Sequence, residues 1–362
     1  MPTKSATPVT LQHVADTAGV SVSTASRILS GKAAAYRISQ RAEKLVRQTA
    51  QKLGFRPSQV ARSLRSKRTG LLGVMLPDVA NPFFAAIARE VTVAAEAAGY
   101  SVILADSRED TATEQTLLEQ LRSRNVEGLV VCPVGASSEH LQAAHHAGLP
   151  LVLVDRVFAK VPMVQVTSDH AQGAADLTKL LLASGHTHLG ILQGIPHTLP
   201  NSERLKGIRA VLDKRHLPCS DSQIVGEQFT EASGHAAAQT LLAQRKPPTA
   251  LFAFSNLIAL GALRACAERG LVVGKDISLV SFDDHPFMNY LRCPITSAAQ
   301  DIRQLGLQAA ERIIQQLQPG SPPTQKMLRI PCTIQHRQSI VSLLPTLSSP
   351  RAKRAEVLET IL

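Results

Sequence analysis

The stretch TLQHVADTAGVSVSTASRILSG, residues 10–31, decides the fold of the N-terminal part of the chain. Apolar residues recur at helical spacing in each half of it, and a glycine closes each half, at positions 19 and 31. Glycine just past the end of a helix readily adopts the left-handed conformation that terminates the helix. The pattern therefore predicts two short helices joined by a tight turn, the arrangement called a helix-turn-helix.

Hydroxyl residues stand where the predicted helices begin. Thr10 and Ser21 are placed to cap the two helices, and Ser39 precedes a third apolar stripe that ends at Gly54. A hydroxyl oxygen in this position accepts a hydrogen bond from a backbone N–H that the first turn leaves unpaired. We expect three helices around one small core.

The excess positive charge of the chain is confined to this segment. Residues 1–70 hold 13 Lys and Arg against two acidic residues, a balance of +11 that equals the net charge of the whole chain. The other 292 residues carry 26 charges of each sign. This distribution is typical of a nucleic-acid-binding module joined to a neutral body. A disordered basic arm would carry the same charge but would not show helical periodicity.

The second helix is predicted to contact DNA. Arginine can bond guanine bidentately, hydroxyls bond bases or phosphates, and an apolar side chain can touch the thymine methyl group. Residues of these types are expected to face outward near the start of this helix, at Val22, Ser23, Ser26 and Arg27. The predicted DNA-binding residues are Thr10, Ser21, Val22, Ser23, Thr24, Ser26, Arg27, Ser39, Leu64 and Arg65.

The rest of the chain reads as alternating short strands and helices. Strand-length apolar runs, separated by helix-length amphipathic segments, occur at LLGVML (71–76), SVILA (101–105), GLVVC (128–132), LVLVD (151–155), LGILQ (189–193), ALFAF (250–254) and ISLVSF (277–282). This βαβ alternation predicts parallel sheets covered by helices on both faces.

No catalytic residue, metal or cofactor is predicted. The body lacks a GxGxxG after a strand, a GxxxxGK[ST] loop and a GxSxG elbow, which disfavours dinucleotide, P-loop and hydrolase enzymes. His145 with His146, and His186 with His188, have no carboxylates at ligand spacing, so we expect solvated surface histidines. The five cysteines are scattered and predict neither disulfides nor a zinc site.

No membrane association is predicted either. No run approaches the roughly 18 apolar residues of a membrane span, and MPTKSATPVTLQ (1–12) has no apolar core of a secretory signal. We expect a cytoplasmic protein.

Two long stretches resemble the LacI/GalR family of bacterial transcription regulators. VTLQHVADTAGVSVSTASRILSGK (9–32) and LGFRPSQVARSLRSKRTGLLGVMLPDVANPFF (53–84) look like the N-terminus of that family, and the likeness continues in order to about Gln338. The linker AAAYRIS (33–39) is longer than the family's usual one and resembles the fructose-repressor branch. The resemblance implies a sequence-specific DNA-binding repressor whose body has the periplasmic sugar-binding fold.

The resemblance also divides the chain. It implies a helix-turn-helix domain at residues 1–57, a hinge helix and linker at 58–69, an effector and dimerisation domain at 70–342, and a tail at 343–362. In the hinge, Leu64 would enter the minor groove and open a base step, while Arg65 and its basic neighbours hold phosphates. The effector domain would consist of two α/β subdomains with parallel sheets and crossovers near residues 168, 297 and 329.

In the sugar-binding fold, two subdomains close on a small molecule at the carboxyl ends of their strands. Aromatic faces pack on a sugar ring, while Asp, Arg, Asn and Gln bond its hydroxyls. The predicted effector residues are Asn81, Phe83, Phe84, Asp155, Arg156, Arg204, Phe229, Asn256, Asp283 and Gln300, and all of them except Phe229 match motifs of ribose-binding proteins. Each has a structural alternative: core packing for the phenylalanines, a strand-end pair for Asp155 with Arg156, or helix capping for Asp283.

The expected partners are double-stranded operator DNA, a small sugar or sugar phosphate, and a second copy of the chain. A homodimer is expected because one helix-turn-helix of this size reads only a half-site. The family includes tetramers assembled through a C-terminal helix, but residues 348–362 lack sustained heptads.

Two questions stay open from the sequence. The ribose-like motifs favour a neutral sugar, whereas the linker at 33–39 favours a phosphorylated fructose. The alternatives to a regulator are a sugar-binding protein without a regulatory role and an enzyme that acts on a sugar or nucleoside.

Overall fold

The computed structural model describes residues 9–55, 68–135, 137–320 and 326–344. The predicted hinge contacts of Leu64 and Arg65 lie outside these ranges, as does the predicted tail from residue 345 onward. The chain divides into two units, one up to Gly70 and one from Leu71 onward.

Three α-helices make up the described part of the first unit. They are α1 (Leu11–Thr17), α2 (Val22–Leu29) and α3 (Gln40–Lys52), with a 3-10 turn at Ala34–Tyr36. The predicted caps are confirmed, since the hydroxyls of Thr10, Ser21 and Ser39 accept hydrogen bonds from backbone N–H groups three residues on. The core consists of Val14, Ala15, Ala18, Ala25, Ile28, Ala33, Val46 and Ala50.

The prediction that Ser26 faces outward is wrong, and Val22, also predicted to face outward, is half-buried and packs against the core of the first unit. Only 9% of Ser26 is exposed. It lies on the same helical stripe as Val22, Ala25 and Leu29, which are spaced i, i+3, i+4 and i+7 and turn toward the core. Arg27, one residue on, leaves this stripe and is exposed, as predicted.

The second unit alternates strands and helices along its described length. Its strands are β1 (Leu71–Leu76), β2 (Ser101–Asp106), β3 (Gly128–Val131), β4 (Leu151–Val154), β5 (Val164–Ser168), β6 (Leu189–Leu192), β7 (Ile224–Val225), β8 (Ala250–Ala253), β9 (Ser278–Phe282), β10 (Thr296–Ala299), β11 (Met327–Ile330) and β12 (Thr333–Gln335). Its helices are α4 (Pro82–Ala97), α5 (Thr111–Ser123), α6 (Glu139–His146), α7 (His170–Ala183), α8 (Leu199–Asp213), α9 (Glu231–Leu242), α10 (Asn256–Glu268) and α11 (Ile302–Gln316). In the described ranges, no helix has both the length and the apolar character needed to cross a membrane.

The strands form two six-stranded sheets, each at the centre of one lobe. The first has the order β11-β5-β4-β3-β1-β2 and is parallel throughout. The second has the order β12-β10-β9-β8-β6-β7, in which β12 alone pairs antiparallel. Helices α4 and α11 share one core cluster of the first sheet, and α5 and α6 share the other. The predicted α/β body with parallel, doubly covered sheets is confirmed.

The chain passes between the lobes three times, after Ser168, after Ala299 and after Ile330. Helix α7 follows β5 of the first sheet but contacts β9, β10 and β12 of the second. Helix α11 follows β10 of the second sheet and packs on β3, β4 and β5 of the first. Because a parallel sheet gathers the carboxyl ends of its strands at one edge, the residues that follow β4, β9 and β10 can meet in a common cleft.

Candidate functional site

A pocket lies between the two lobes and is lined by residues of both. Nine of the ten predicted effector residues line it: Asn81, Phe83, Phe84, Asp155, Arg156, Arg204, Phe229, Asp283 and Gln300. Asn256 is buried at the first position of α10 but does not line the pocket. Ser255, the N-cap of that helix, lines it instead, and so does Pro200.

The start of α4 supplies the aromatic wall. Asn81 caps the helix by accepting a hydrogen bond from the N–H of Phe83 at 3.0 Å, and Pro82 takes the first helical position. The rings of Phe83 and Phe84 meet edge to face with their centroids 5.2 Å apart. Both rings also belong to the core of the first lobe, which holds them rigidly in place at the pocket.

Two aspartates follow strands in the same strained backbone conformation. Asp155 follows β4 with φ +62°, and Asp283 comes directly after β9 with φ +66°. Among residues with a side chain, Asp and Asn tolerate the left-handed region best, and such backbone clusters at functional sites. Both carboxyl groups are buried. The turns place two buried acidic groups in one pocket.

Arg156 pairs with a residue that the sequence analysis missed. Its guanidinium donates two hydrogen bonds to the Glu109 carboxylate, at 2.6 and 2.7 Å. The alternative of a simple strand-end pair with Asp155 therefore does not describe this arginine. Glu109 lies in the turn after β2 with φ +54°, and its N–H donates to the carbonyl of Pro77 at 2.6 Å. Since Glu109 follows a strand like the other site residues, the same positional rule could have identified it.

Arg204 lies in the second lobe, where it contacts the remaining polar groups of the pocket. It donates to the backbone carbonyl of Phe254 and, at 3.3 Å, to Nδ1 of His170. Its guanidinium carbon lies 3.9 Å from the centroid of the Phe282 ring. The nearest Asp283 oxygen is 3.8 Å away, so the two charges attract without a direct hydrogen bond.

Gln300 completes the second-lobe wall. It follows β10 at a crossover, and its amide nitrogen donates to Asp283 at 2.5 Å. Asp283 thus accepts from Gln300, and the N-cap of the following 3-10 helix is His285 rather than Asp283. The capping alternative for this aspartate is not what the structure contains.

Three pocket residues carry buried polar atoms that lack a hydrogen-bond partner. Over the described part of the chain six such side-chain atoms occur, and three are Asp155 Oδ1, Arg204 Nε and Gln300 Oε1. Buried polar atoms are almost always bonded, so three exceptions around one pocket need an explanation. Two acceptors and one donor complement hydroxyl groups, because a hydroxyl both donates and accepts. The pocket can therefore bind a small polyhydroxylated molecule.

Burial shifts the pKa values of the titratable side chains in and beside the pocket. It raises the pKa of Asp155 to about 7, more than the favourable charges of Arg204 and Arg156 lower it. Burial raises the pKa of Asp283 as well, against the opposing effects of Arg204 and Gln300. The pKa of His170 is held well below its usual range by burial and by Arg204, so this histidine is neutral at pH 7.

The prediction of solvated histidines is wrong for His186. This side chain is fully buried and hydrogen-bonds Ser278 at 2.7 Å, Thr249 at 2.9 Å and the carbonyl of Val341 at 2.9 Å. It ties the chain after β12 to β9, which is a structural role. Among the residues described here, no group of three or more His, Cys, Asp or Glu side chains could hold a metal ion.

The first unit presents a second candidate surface at the start of α2. The hydroxyl of Ser21 lies 2.9 Å from that of Ser23 and 2.8 Å from that of Thr24. Ser21 and Ser23 are exposed, and Val22 and Thr24 are half-buried. All Lys and Arg side chains between residues 9 and 55 are exposed: Arg27, Lys32, Arg37, Arg41, Lys44, Arg47 and Lys52. Exposed hydroxyls at the start of α2, together with exposed cations elsewhere in the first unit, suit a DNA backbone and its base edges.

Both units of the chain match families of known proteins. Residues 10–58 match the family described as bacterial regulatory proteins, lacI family, and residues 69–338 match the periplasmic binding proteins and sugar binding domain of the LacI family. The chain is 30% identical over 332 residues to catabolite control protein A of Priestia megaterium, covering 91% of this chain and 99% of that protein. It is 31% identical over 310 residues to the ribose operon repressor of Halalkalibacterium halodurans, covering 85% and 90%.

A solved structure matches the fold closely. The crystal structure of the lac repressor dimer bound to operator and the anti-inducer ONPF is similar to this chain with a TM-score of 0.82 and 26% sequence identity. The match covers 92% of this chain and all of that one. It therefore extends over both the DNA-binding and the sugar-binding parts of that protein.

Proposed function

Because this chain belongs to the LacI family of bacterial regulatory proteins, we propose that a neutral monosaccharide bound between its lobes controls its affinity for operator DNA. Family membership itself makes the protein a DNA-binding transcriptional repressor with a sugar-binding domain, rather than an enzyme. As in the family, it binds operator DNA as a homodimer. The proposal concerns the chemistry of the effector and the residues that bind it.

The observation that carries the proposal is the set of three unpartnered buried atoms on Asp155, Arg204 and Gln300. A ligand with several hydroxyl groups in fixed positions would form hydrogen bonds with all three atoms. Polar side chains and phenylalanine rings line the pocket together, as is typical of small-molecule sites. A single sugar ring packed against Phe84 and Phe229 fits this chemistry.

The charges of the pocket favour a neutral sugar over a sugar phosphate. Arg156 is neutralised by Glu109 through two short hydrogen bonds, and Arg204 is shared between Asp155 and Asp283. A phosphate would therefore meet carboxylates and no uncommitted cation. The hint of a phosphorylated fructose from the linker at residues 33–39 concerns the DNA-binding unit and says nothing about this pocket.

Among neutral sugars we favour ribose. Of the ten predicted effector residues, all but Phe229 match motifs of ribose-binding proteins, and nine of the ten line the pocket. One relative of the chain is named as a ribose operon repressor. A pentose also suits a pocket whose polar groups, Asp155, Arg156, Arg204, Asp283 and Gln300, approach from several sides.

Effector binding would act by favouring one arrangement of the lobes. Ligand groups bonded to Asp155 in the first lobe and Asp283 in the second would stabilise the closed state, and only such a difference in affinity shifts the equilibrium. In the homodimer, closure would rotate the first lobes relative to each other and so change operator affinity. Residues 1–57 would bind the operator, and residues 70–342 would bind the effector. When bound to its operator, the repressor would be associated with the nucleoid in the cytoplasm.

A thermal-shift comparison of ribose with ribose 5-phosphate tests the effector class. At about 100-fold excess over Kd, ribose should raise the melting temperature by about 5 °C or more, and ribose 5-phosphate should not. In Glu109→Gln, Arg156 loses its carboxylate partner. This variant should gain stabilisation by ribose 5-phosphate and lose some of the stabilisation by ribose.

The matched control is Glu119→Gln, an exposed glutamate on α5 that pairs with Arg122 away from the pocket. It should respond to both ligands as the wild type does. If ribose 5-phosphate stabilises the wild type more than neutral sugars do, the effector is phosphorylated and the proposal is wrong.

The pKa of Asp155, about 7 without ligand, predicts pH-dependent sugar binding. Sugar hydroxyls that donate to the carboxylate favour its charged form, so the pKa should fall in the complex and binding should release a proton. Affinity should therefore rise as the pH rises toward 7, by at most tenfold per unit, and level off above about pH 8. The surrounding charges are Arg204, Arg156, Asp283 and Glu109.

Calorimetric titration in buffers of different ionisation enthalpy measures the released proton. Asp155→Asn should remove the pH dependence of sugar affinity. This result would distinguish Asp155 from Asp283 as the group that titrates. Equal affinity at pH 5.5 and pH 8 in the wild type, with no proton release, would contradict the prediction.

A further inference from the structure

We propose that Tyr36 is a positioning residue for operator recognition, holding the Arg27 guanidinium in place for contact with a base. The inference rests on the proposed role of α2 in reading DNA. It extends that role to the 3-10 turn at Ala34–Tyr36, where none of the predicted DNA-binding residues lies.

The two side chains are stacked. The guanidinium carbon of Arg27 lies 4.1 Å from the centroid of the Tyr36 ring. Arg27 is in the last turn of α2 and is exposed, and half of Tyr36 is exposed as well. A long arginine on a protein surface samples many rotamers, whereas a ring under its planar group restricts them and leaves the N–H donors free at the edge.

The backbone holds Tyr36 in this position. Ala33, three residues before it, is 3% exposed and belongs to the core of the first unit, and Ile38, two residues after it, packs against that core. The N–H of Tyr36 donates to the carbonyl of Lys32 at 3.3 Å, and that of Ile38 donates to Ala33 at 3.0 Å. Arg37 has φ +50°, which turns the chain back toward α3. The turn is anchored on both sides of the ring.

This arrangement gives the long linker AAAYRIS a physical role. An arginine that bonds guanine must give up its rotamer freedom, and an arginine already stacked on a ring has less freedom to lose. A cation–π contact at an exposed site corresponds to about a two- to fivefold change in affinity. Because a homodimer uses two copies, removal of the ring should weaken operator binding by about five- to thirtyfold.

The test uses the full chain and the palindromic duplex that the wild type selects from a randomised DNA pool. Tyr36→Ala and Tyr36→Leu should both weaken binding by about five- to thirtyfold, since neither offers a π face. Tyr36→Phe keeps the ring and should stay within about twofold of the wild type. In an Arg27→Ala background, Tyr36→Ala should change affinity by less than about twofold. Binding to a duplex of unrelated sequence should be the same for all Tyr36 variants.

Three results would overturn the proposal. If Tyr36→Phe weakens binding as much as Tyr36→Ala and reduces the salt dependence, the hydroxyl contacts a phosphate instead. If Tyr36→Ala weakens binding equally with and without Arg27, the ring acts independently of the arginine. If Tyr36→Ala tightens binding, the stack restrains Arg27 rather than presenting it.

If the first unit does not recognise an operator, the result is different, because the wild type then selects no palindromic duplex at all. Far-UV circular dichroism and the melting temperature of each variant show whether the first unit remains folded. Sugar binding measured on the same variants should be unchanged, since Tyr36 and Arg27 belong to the first unit and the pocket to the second.

Discussion

Asp283→Asn should weaken binding of the effector sugar by at least about 100-fold and make operator binding insensitive to that sugar. The carboxylate can accept two charge-assisted hydrogen bonds from sugar hydroxyls, each worth about 1.5 to 3 kcal/mol, whereas an amide oxygen accepts weaker ones. Asparagine tolerates the left-handed backbone at φ +66° nearly as well as aspartate, so the substitution changes charge with little added strain. Calorimetric titration with ribose and fluorescence anisotropy of labelled operator DNA measure the two effects.

The neighbouring aspartate provides the matched control. Asp284 pairs with Arg337 at 2.7 Å and accepts from Ser297 at 2.6 Å, and it does not line the pocket. Asp284→Asn should lower the melting temperature by breaking that pair but leave sugar affinity within about threefold. If Asp283→Asn binds sugar as tightly as the wild type, Asp283 is not an effector-binding residue.

Arg27→Ala should weaken binding to the selected operator by about 30-fold or more. A bidentate contact between arginine and guanine discriminates by about 1 to 3 kcal/mol, and the homodimer makes the contact in both half-sites. The loss should be confined to specific DNA, because most non-specific affinity comes from phosphate contacts that remain. Anisotropy titrations with operator and with unrelated duplex separate the two contributions.

Arg47 is the control for Arg27. It is also an exposed arginine of the first unit, but its guanidinium is bonded to Glu43 at 2.7 Å on α3. Arg47→Ala should change operator affinity by no more than about threefold. A comparable loss from both arginines would show that Arg27 supplies only positive charge, and its role in base recognition would be disproved.

Most of the fold could be predicted because the local spacing of apolar residues distinguishes strands from helices. Each of the seven apolar runs found in the sequence forms a strand, and these are β1, β2, β3, β4, β6, β8 and β9. The sequences VQVTS of β5 and TSAA of β10 contain no such run, although both strands lie inside their sheets. Two polar side chains of β5 are buried with partners outside the strand, since Gln165 accepts from the N–H of Phe158 and Thr167 donates to the carbonyl of Asp155. A prediction based on the periodicity of apolar residues does not detect such partners.

The candidate site was predictable to a similar extent. Residues that follow strands are recognisable in sequence, and the resemblance to ribose-binding proteins selected those with suitable chemistry. Glu109 and His170 were missed, although each contacts an arginine of the pocket. Glu109 is 47 residues from Arg156, and His170 is 34 residues from Arg204. The position of Glu109 after a strand is recognisable in sequence, but its pairing with Arg156 is not, because contacts at such separations leave no signal in the spacing of residues along the chain.

The sequence by itself determined three capped helices with a concentrated positive charge, the alternation of strands and helices, and the set of side chains gathered at the strand ends. These features depend on the chemistry of residues a few positions apart. The tertiary structure alone decided that Glu109 neutralises Arg156, that Asp155 titrates near pH 7, and that Ser26 is buried. Charge pairing and desolvation depend on distance and on exclusion of water, and both are set only when segments remote in sequence pack together.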